Sequence, residues 1–227
     1  MNTMSAASTP LDLSTRRAVV IGGTGRVGEG IVSAWLEAGA EVVVPSRTSG
    51  RIAALRAELP DLAANGRLHL IEHEYTEFDT AVQFADRVEE EVGQVSDVIA
   101  SIGGWWQGKA LWEVDEAEWN RFFVELATAH VATARAWIPR LSPSGSYHLI
   151  LGGSATTPVP GSSLINMEQA ALKMMHEVLS AEAGAQRRVF AHILGPVATR
   201  QRPWVDPEWV SNADVGTVGA RPAGECP

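Results

Sequence analysis

Short apolar runs alternate along this chain with longer segments whose apolar positions recur at helical spacing. The first run, residues 17–21 (RAVVI), predicts a strand, and Ile31, Val32, Trp35, Leu36 and Ala38 place a helix between Gly30 and Gly39. Strands follow at residues 41–45, 67–71, 95–102, 146–151 and 189–194. Between them lie helices at 52–59 (ended by Pro60), 80–92 (ended by Gly93), 115–138 (closed by Pro139) and 166–182, with Asn166 placed as the last helix's N-cap. Continuous apolar strands separated by helices imply a parallel sheet covered on both faces, and right-handed crossovers make it doubly wound. The run from Ser211 is rich in Gly and Pro and predicts neither helix nor strand.

Composition narrows the partners. A net charge of −9 argues against a nucleic-acid or anionic-membrane binder, while leaving room for a phosphate-bearing ligand met by a few local cations. The single cysteine, Cys226, excludes an internal disulfide and a multi-cysteine zinc site, and His148 and His176 lack partners at metal-ligand spacing, so no metal is assigned. Residues 1–15 lack the basic and apolar regions of a secretory signal, and no apolar run nears the ~20 residues that span a bilayer. A cytoplasmic location is the expectation.

Chemistry enters at the first strand's end. Gly22, Gly25 and Gly28 are spaced G-x-x-G-x-x-G between a predicted strand and helix. There the backbone can approach a pyrophosphate, and a helix N-terminus supplies N–H donors and positive dipole. An NAD site next wants an acid at the end of the second strand; here the residues are Pro45-Ser46-Arg47-Thr48. The planar fork of Arg47, joined by Arg26, suits a 2′-phosphate, which favours NADP(H); a solvated loop arginine is the alternative.

On these residues the chain resembles the short-chain dehydrogenase/reductase family from about Arg17 to Gly216. Gly22, Thr24, Gly25, Arg26, Val27 and Gly28 look like its cofactor turn, and Glu74-Tyr75 stands where an adenine-contacting segment is usual. Ser101-Ile102-Gly103 matches the loop after the fourth strand, and Pro196, Val197 and Thr199 the loop beside the nicotinamide. The resemblance implies a Rossmann-type sheet in the order 3-2-1-4-5-6, its seventh strand missing or rudimentary. It also implies a homodimer or homotetramer built through the 115–138 and 166–182 helices. Three regions are expected: a flexible tail at 1–14, one NADP(H)-binding domain at 15–210 and an irregular tail at 211–227.

The departures bear on chemistry. The family's Tyr and Lys positions fall on Ile165 and Gln169, its Ser near Gly152 with Ser154 as a stand-in, and its Asn near Leu126, or Glu125 in the neighbouring register. Neither Ile165 nor Gln169 exchanges a proton usefully, so the family's ordinary mechanism is not available. His130 reads as a buried or interfacial histidine held by a carbonyl, with a catalytic role as the alternative, and Lys173 as a solvent-facing residue, with a displaced cation for the ribose as the alternative. Trp105, Trp106 and Trp204 fall where the family's substrate cleft and lid lie, so an apolar or aromatic carbonyl-type substrate is expected; packing of lid on core is the alternative. Three functions stay open: an NADP(H) oxidoreductase with an altered site, an NADP(H)-binding or interaction protein without catalysis, and a non-redox catalyst reusing the cleft.

Overall fold

The computed structural model describes residues 11–184, 187–200 and 204–220. Its strands β1 (Arg17–Ile21), β2 (Glu41–Ser46), β3 (Leu68–Glu72), β4 (Asp97–Ala100), β5 (Ser146–Gly152) and β6 (Arg188–Leu194) form one sheet in the order β3-β2-β1-β4-β5-β6. All five pairings are parallel. Alternate residues of β1 divide between two cores. Val19 and Ile21 join Phe84, Trp137, Tyr147 and Leu149, whereas Ala18 and Val20 join Trp35, Leu36, Val42 and Ile99. Both faces being buried explains why the strands read as unbroken apolar runs.

The helices are α1 (Arg26–Glu37), α2 (Ser49–Glu58), α3 (Pro60–Ala64), α4 (Phe78–Glu91), α5 (Glu116–Trp119), α6 (Glu125–Trp137), α7 (Ser163–Ala183) and α8 (Asn212–Ala220). Several depart from the sequence expectation. Pro60 does not merely stop a helix; it opens α3 at its first turn, where proline lacks only an N–H that would be unpaired anyway. The predicted 115–138 helix is not uniform: a π-helical turn, Asn120–Val124, sits between α5 and α6. Asn166 is not an N-cap, because α7 begins three residues earlier at Ser163.

The tail expected to be irregular carries α8, which packs along α1. Its glycines are there for closeness: a Cβ on Gly216 would stand 2.8 Å from the Ile31 Cα, and one on Gly30 would stand 2.4 Å from the Asn212 carbonyl carbon. Tertiary packing thus outweighs weak helix propensity. Residues 221–227, with Cys226, lie outside the described residues. At the other end, Leu13 is buried in the α1-side core, so the proposed flexible tail does not extend through residue 14; residues 1–10 lie outside the described residues. After β6 the chain makes a separate two-stranded piece, β7 (Val197–Ala198) with β8 (Val210–Ser211).

Candidate active site at the carboxyl edge of the sheet

The turn between β1 and α1 is shaped by close backbone approach. Gly22 has φ 79°, and a Cβ there would stand 2.2 Å from the Ser101 carbonyl oxygen. A Cβ on Gly28 would stand 2.2 Å from the Gly22 carbonyl oxygen, and one on Gly25 3.0 Å from it. The glycine spacing is therefore what lets β1, the loop after β4 and the first turn of α1 meet. Gly25 occupies the N-cap position of α1 with no side-chain cap, leaving that helix end able to receive an anion. Thr24, Arg26 and Val27 complete the turn, and Asn212 of α8 donates to the Arg26 carbonyl at 3.1 Å.

Beside it, at the end of β2, lies a cavity of ≈ 270 Å³ lined by Ser46, Arg47, Thr48, Arg51, Glu74 and Tyr75. It unites five residues quoted from the sequence and adds Arg51, which was missed because the helix was expected to start at residue 52. The Thr48-Ser49 pair was the available signal, since α2 begins at Ser49 and puts Arg51 in its first turn. Glu74 does not point freely at the cavity: its Oε1 accepts from the Tyr75 N–H (2.8 Å), the Thr76 N–H (2.9 Å) and the Thr76 hydroxyl (2.7 Å). Burial works against its charge, but these bonds and Arg47 outweigh it and hold the carboxyl below its ordinary range. Tyr75 is buried against Phe84, and burial raises its phenol.

After β4, the Ser101 N–H donates to the Ile21 carbonyl at 2.9 Å, and the Ile102 carbonyl accepts from His130 Nε2 at 3.1 Å. Gly103 follows in an open loop with no atom within 4 Å of a would-be Cβ. His130 is thus the carbonyl-held histidine of the sequence reading; burial pushes it down to about 4, so it is neutral at pH 7. Pro196 leads into β7, where Val197 is buried, and Thr199 just beyond it is buried with a hydroxyl that has no partner among the described residues.

The positions corresponding to the missing proton-transfer groups lie between β5 and α7. Gln169 Oε1 accepts from the Gly152 N–H at 2.6 Å, and its amide nitrogen donates to Glu168 Oε2 at 2.6 Å. A Cβ on Gly152 would stand 3.3 Å from the Ser154 hydroxyl oxygen and 3.8 Å from Gln169 Oε1. Ser154, on the one-turn helix Gly153–Ala155, therefore brings a hydroxyl beside the position expected for the serine. Asn166 fixes that loop: it donates to the Ser154 and Thr157 carbonyls (both 2.8 Å) and accepts from the Val159 N–H (3.0 Å). Ile165 is buried with Leu164 and Trp106, against Leu126 and Phe122. Lys173 points outward to Glu177 at 2.6 Å.

The tryptophans divide. Trp106 is buried, its indole donating to Glu118 at 3.3 Å and its carbonyl accepting from Ser162, so it supports the cleft from behind. Trp105 is 61% exposed and Trp204 65% exposed, the latter edge-on to Trp209 with centroids 5.4 Å apart. Among the described residues no group of three His, Cys, Asp or Glu could hold a metal, and no helix is long and apolar enough to cross a membrane.

The comparisons with known proteins agree with this architecture. The chain is 24% identical over 164 residues to a Bacillus subtilis (strain 168) protein described as an uncharacterized oxidoreductase, YvrD, covering 71% of this chain and 60% of that one. It is 31% identical over 150 residues to 1-deoxy-11-beta-hydroxypentalenate dehydrogenase of Streptomyces arenae, covering 65% and 52%. It thus spans only about half to three fifths of the length of these relatives. Among solved structures, an apo short chain oxidoreductase of Pseudomonas aeruginosa PAO1 with an atypical catalytic center superposes with TM-score 0.80 at 20% identity, over 91% of this chain and 89% of that one. An NADPH-bound structure under the same description gives TM-score 0.76 at 24% identity, over 85% and 76%. The short chain dehydrogenase family model matches residues 16–206, and the chain belongs to that family.

Proposed function

We propose that this chain binds NADP(H) and acts as an oxidoreductase on an apolar or aromatic carbonyl-type substrate, by a mechanism altered from the family's. The observation that carries the reading is the cavity at the end of β2. Two arginines, Arg47 and Arg51, line it with the Thr48 hydroxyl; the Ser46 hydroxyl is engaged with the Thr48 carbonyl, the Glu74 carboxylate is held by Tyr75 and Thr76, and no acid stands at the end of β2 to hold a ribose 2′-hydroxyl. A 2′-phosphate matches that donor set. The glycine turn, which any Cβ would fill, and the orphaned Thr199 hydroxyl fit the pyrophosphate and nicotinamide ends of the same cofactor. The NADPH-bound P. aeruginosa protein shows that this fold accommodates the dinucleotide.

When bound, the cofactor supplies a hydride. The chain's own task is to orient the ligand and manage one proton. Ser154 offers a hydroxyl to polarise a carbonyl, and Gln169 replaces a cation with a neutral amide. The exposed Trp105 and Trp204 present apolar surface to the substrate. The protein is further proposed to be cytoplasmic and a homodimer or homotetramer. Val124, Val131, Met167, Met174 and Val178 leave an exposed apolar stripe on α6, α7 and the π turn before them, suited to a second copy.

Parallel calorimetric titrations with NADPH and NADH test the cofactor reading. NADPH is expected to bind more tightly, and Arg47→Ala or Arg51→Ala to weaken it about tenfold each, as loss of a charge-assisted contact would, leaving NADH affinity unchanged. Equal affinities would contradict the 2′-phosphate assignment, and no binding of either would contradict the whole reading. A second function, cofactor binding without turnover, is favoured by the burial of Ile165 in an apolar cluster where the family keeps a phenol. Failure to oxidise NADPH with a broad carbonyl panel, despite tight binding, would select it.

A further inference from the structure

Glu168 is a carboxylic acid with no exposed surface on the α7 face that also buries Leu164, Ile165, Gln169 and Leu172. One oxygen accepts from Gln169; the other, Oε1, is buried without a partner. Among the described residues no cation pairs with it: burial raises its ionisation, and the Gln169 bond opposes that. The cations on the elements packed around α7 are engaged elsewhere, Arg135 of α6 over the Phe78 ring and Arg188 of β6 at the Ser144 carbonyl among them, and Glu125 of α6 is a further carboxyl. His130 of α6 holds the Ile102 carbonyl, Arg121 of the π turn lies over the Phe122 ring, and His192 of β6 meets His148. On α7 itself, His176 faces the Val189 carbonyl and Lys173 pairs with Glu177. An isolated buried carboxylate is costly, so this group tends to hold a proton; its ionisation is pushed up to about 7.

The same residue is coupled to the cleft. Gln169 is clamped between Glu168 Oε2 and the Gly152 N–H, and the second hydrogen of its amide nitrogen has no partner among the described residues. That amide stands at the register where the family's cofactor-holding lysine would be. Resting on the cofactor reading above, we infer that Glu168 is a proton-linked positioning residue. It fixes Gln169 so that the free amide hydrogen meets the ribose of the bound dinucleotide, and it takes up a proton when that anion binds. The physical cause is simple: a polyanion entering a poorly solvated cleft penalises a nearby negative charge, and Glu168 can discharge by protonation. The cofactor site thereby keeps its orientation without a lysine, at the cost of a pH-dependent affinity.

Two measurements on the full chain test this. Infrared difference spectra of the ligand-free protein, wild type minus Glu168→Gln, are expected to show a protonated-carboxyl band that disappears with a midpoint near neutral pH. Calorimetry with NADPH in two buffers of different ionisation enthalpy at pH 7.5 is expected to show proton uptake that Glu168→Gln abolishes. Wild-type affinity should also fall several-fold, on the order of tenfold per unit of coupled shift, as pH rises from 6 to 8.5, while Glu168→Gln stays flat. Glu168→Ala, which removes the clamp on Gln169, should weaken NADPH at every pH. A carboxyl band that titrates in the ordinary glutamate range, or proton uptake that persists in Glu168→Gln, would overturn the inference. A neutral-range band without any NADPH binding would instead overturn the cofactor reading and the linkage that rests on it, while leaving the buried proton established.

Discussion

The two ends of β5 carry buried polar groups of similar kinds, arranged to opposite effect. At its start, Ser146 donates to Asp97 at 2.5 Å and meets His148 Nε2 at 2.8 Å, while His148 Nδ1 meets His192 Nε2 at 2.9 Å. Asp97 also accepts from Arg16 through Nε (2.8 Å) and Nη2 (2.6 Å), and from the Ser96 hydroxyl (2.8 Å). This chain of contacts joins β4, β5 and β6 and leaves neither Asp97 oxygen unpaired. At its end, beside Gly152, the buried Glu168 Oε1 lacks a partner, as does Thr199 Oγ1 on the segment after β7. Titration is perturbed at both ends: burial drives His148 well below its ordinary value and raises Glu168. A shifted pKa therefore does not separate structure from function here; the place of the unfilled hydrogen-bonding capacity does, since at the start of β5 it belongs to the Tyr147 hydroxyl sealed in the apolar core and at the end to groups beside the cleft.

Breaking the filled end should produce the largest effect. Asp97→Ala strands Arg16, whose side chain is only 11% exposed, and should cost about 3–5 kcal/mol in denaturant unfolding. NADPH affinity of the folded fraction should be unchanged. At the open end the sign reverses. Glu168 is protonated more readily folded than unfolded, so the wild type loses stability as pH rises from its ordinary 4.5 to about 7, and the loss is complete above that. Glu168→Gln should therefore gain relative to wild type by about 3 kcal/mol between pH 4.5 and pH 8, read from unfolding midpoints at the two pH values.

Gly28→Ala sharpens the contrast further. Its Cβ would stand 2.2 Å from the Gly22 carbonyl oxygen, so the turn must deform at a cost of about 1–3 kcal/mol, with NADPH binding lost along with it. The smallest effect belongs to Arg200. It pairs with Glu29 of α1 (2.9 Å) and Glu58 of α2 (2.7 Å), but all three side chains touch solvent. Arg200→Ala should leave the thermal melt close to that of wild type, with any difference vanishing at high salt.

Much of the fold was legible because its signals are local. The doubly buried strands declare themselves as apolar runs, and Gly22, Gly25 and Gly28 mark a turn that needs close backbone approach. Features set by tertiary packing were not legible. The sequence NADVGTVGA gives little reason to expect α8, which exists because Gly216 can lie against Ile31 and Ala34 of α1. Likewise, helical periodicity runs through Asn120–Val124 without revealing its π turn. In the site, Arg47 was visible from its place after β2, whereas Arg51 needed the true start of α2. Nothing in the pattern of the 166–182 helix marks Glu168; only its burial beside Gln169 shows why it matters.

Where NADPH changes the molecule is the most direct test of the open end of β5. Backbone amide hydrogen exchange with and without the nucleotide should show new protection at residues 22–28, 46–51, 101–103 and 197–199. Residues 146–148 and 192 should be unchanged. Protection at the Ser146 end without any at the glycine turn would contradict the assignment of the open end of β5 as the working edge of this protein.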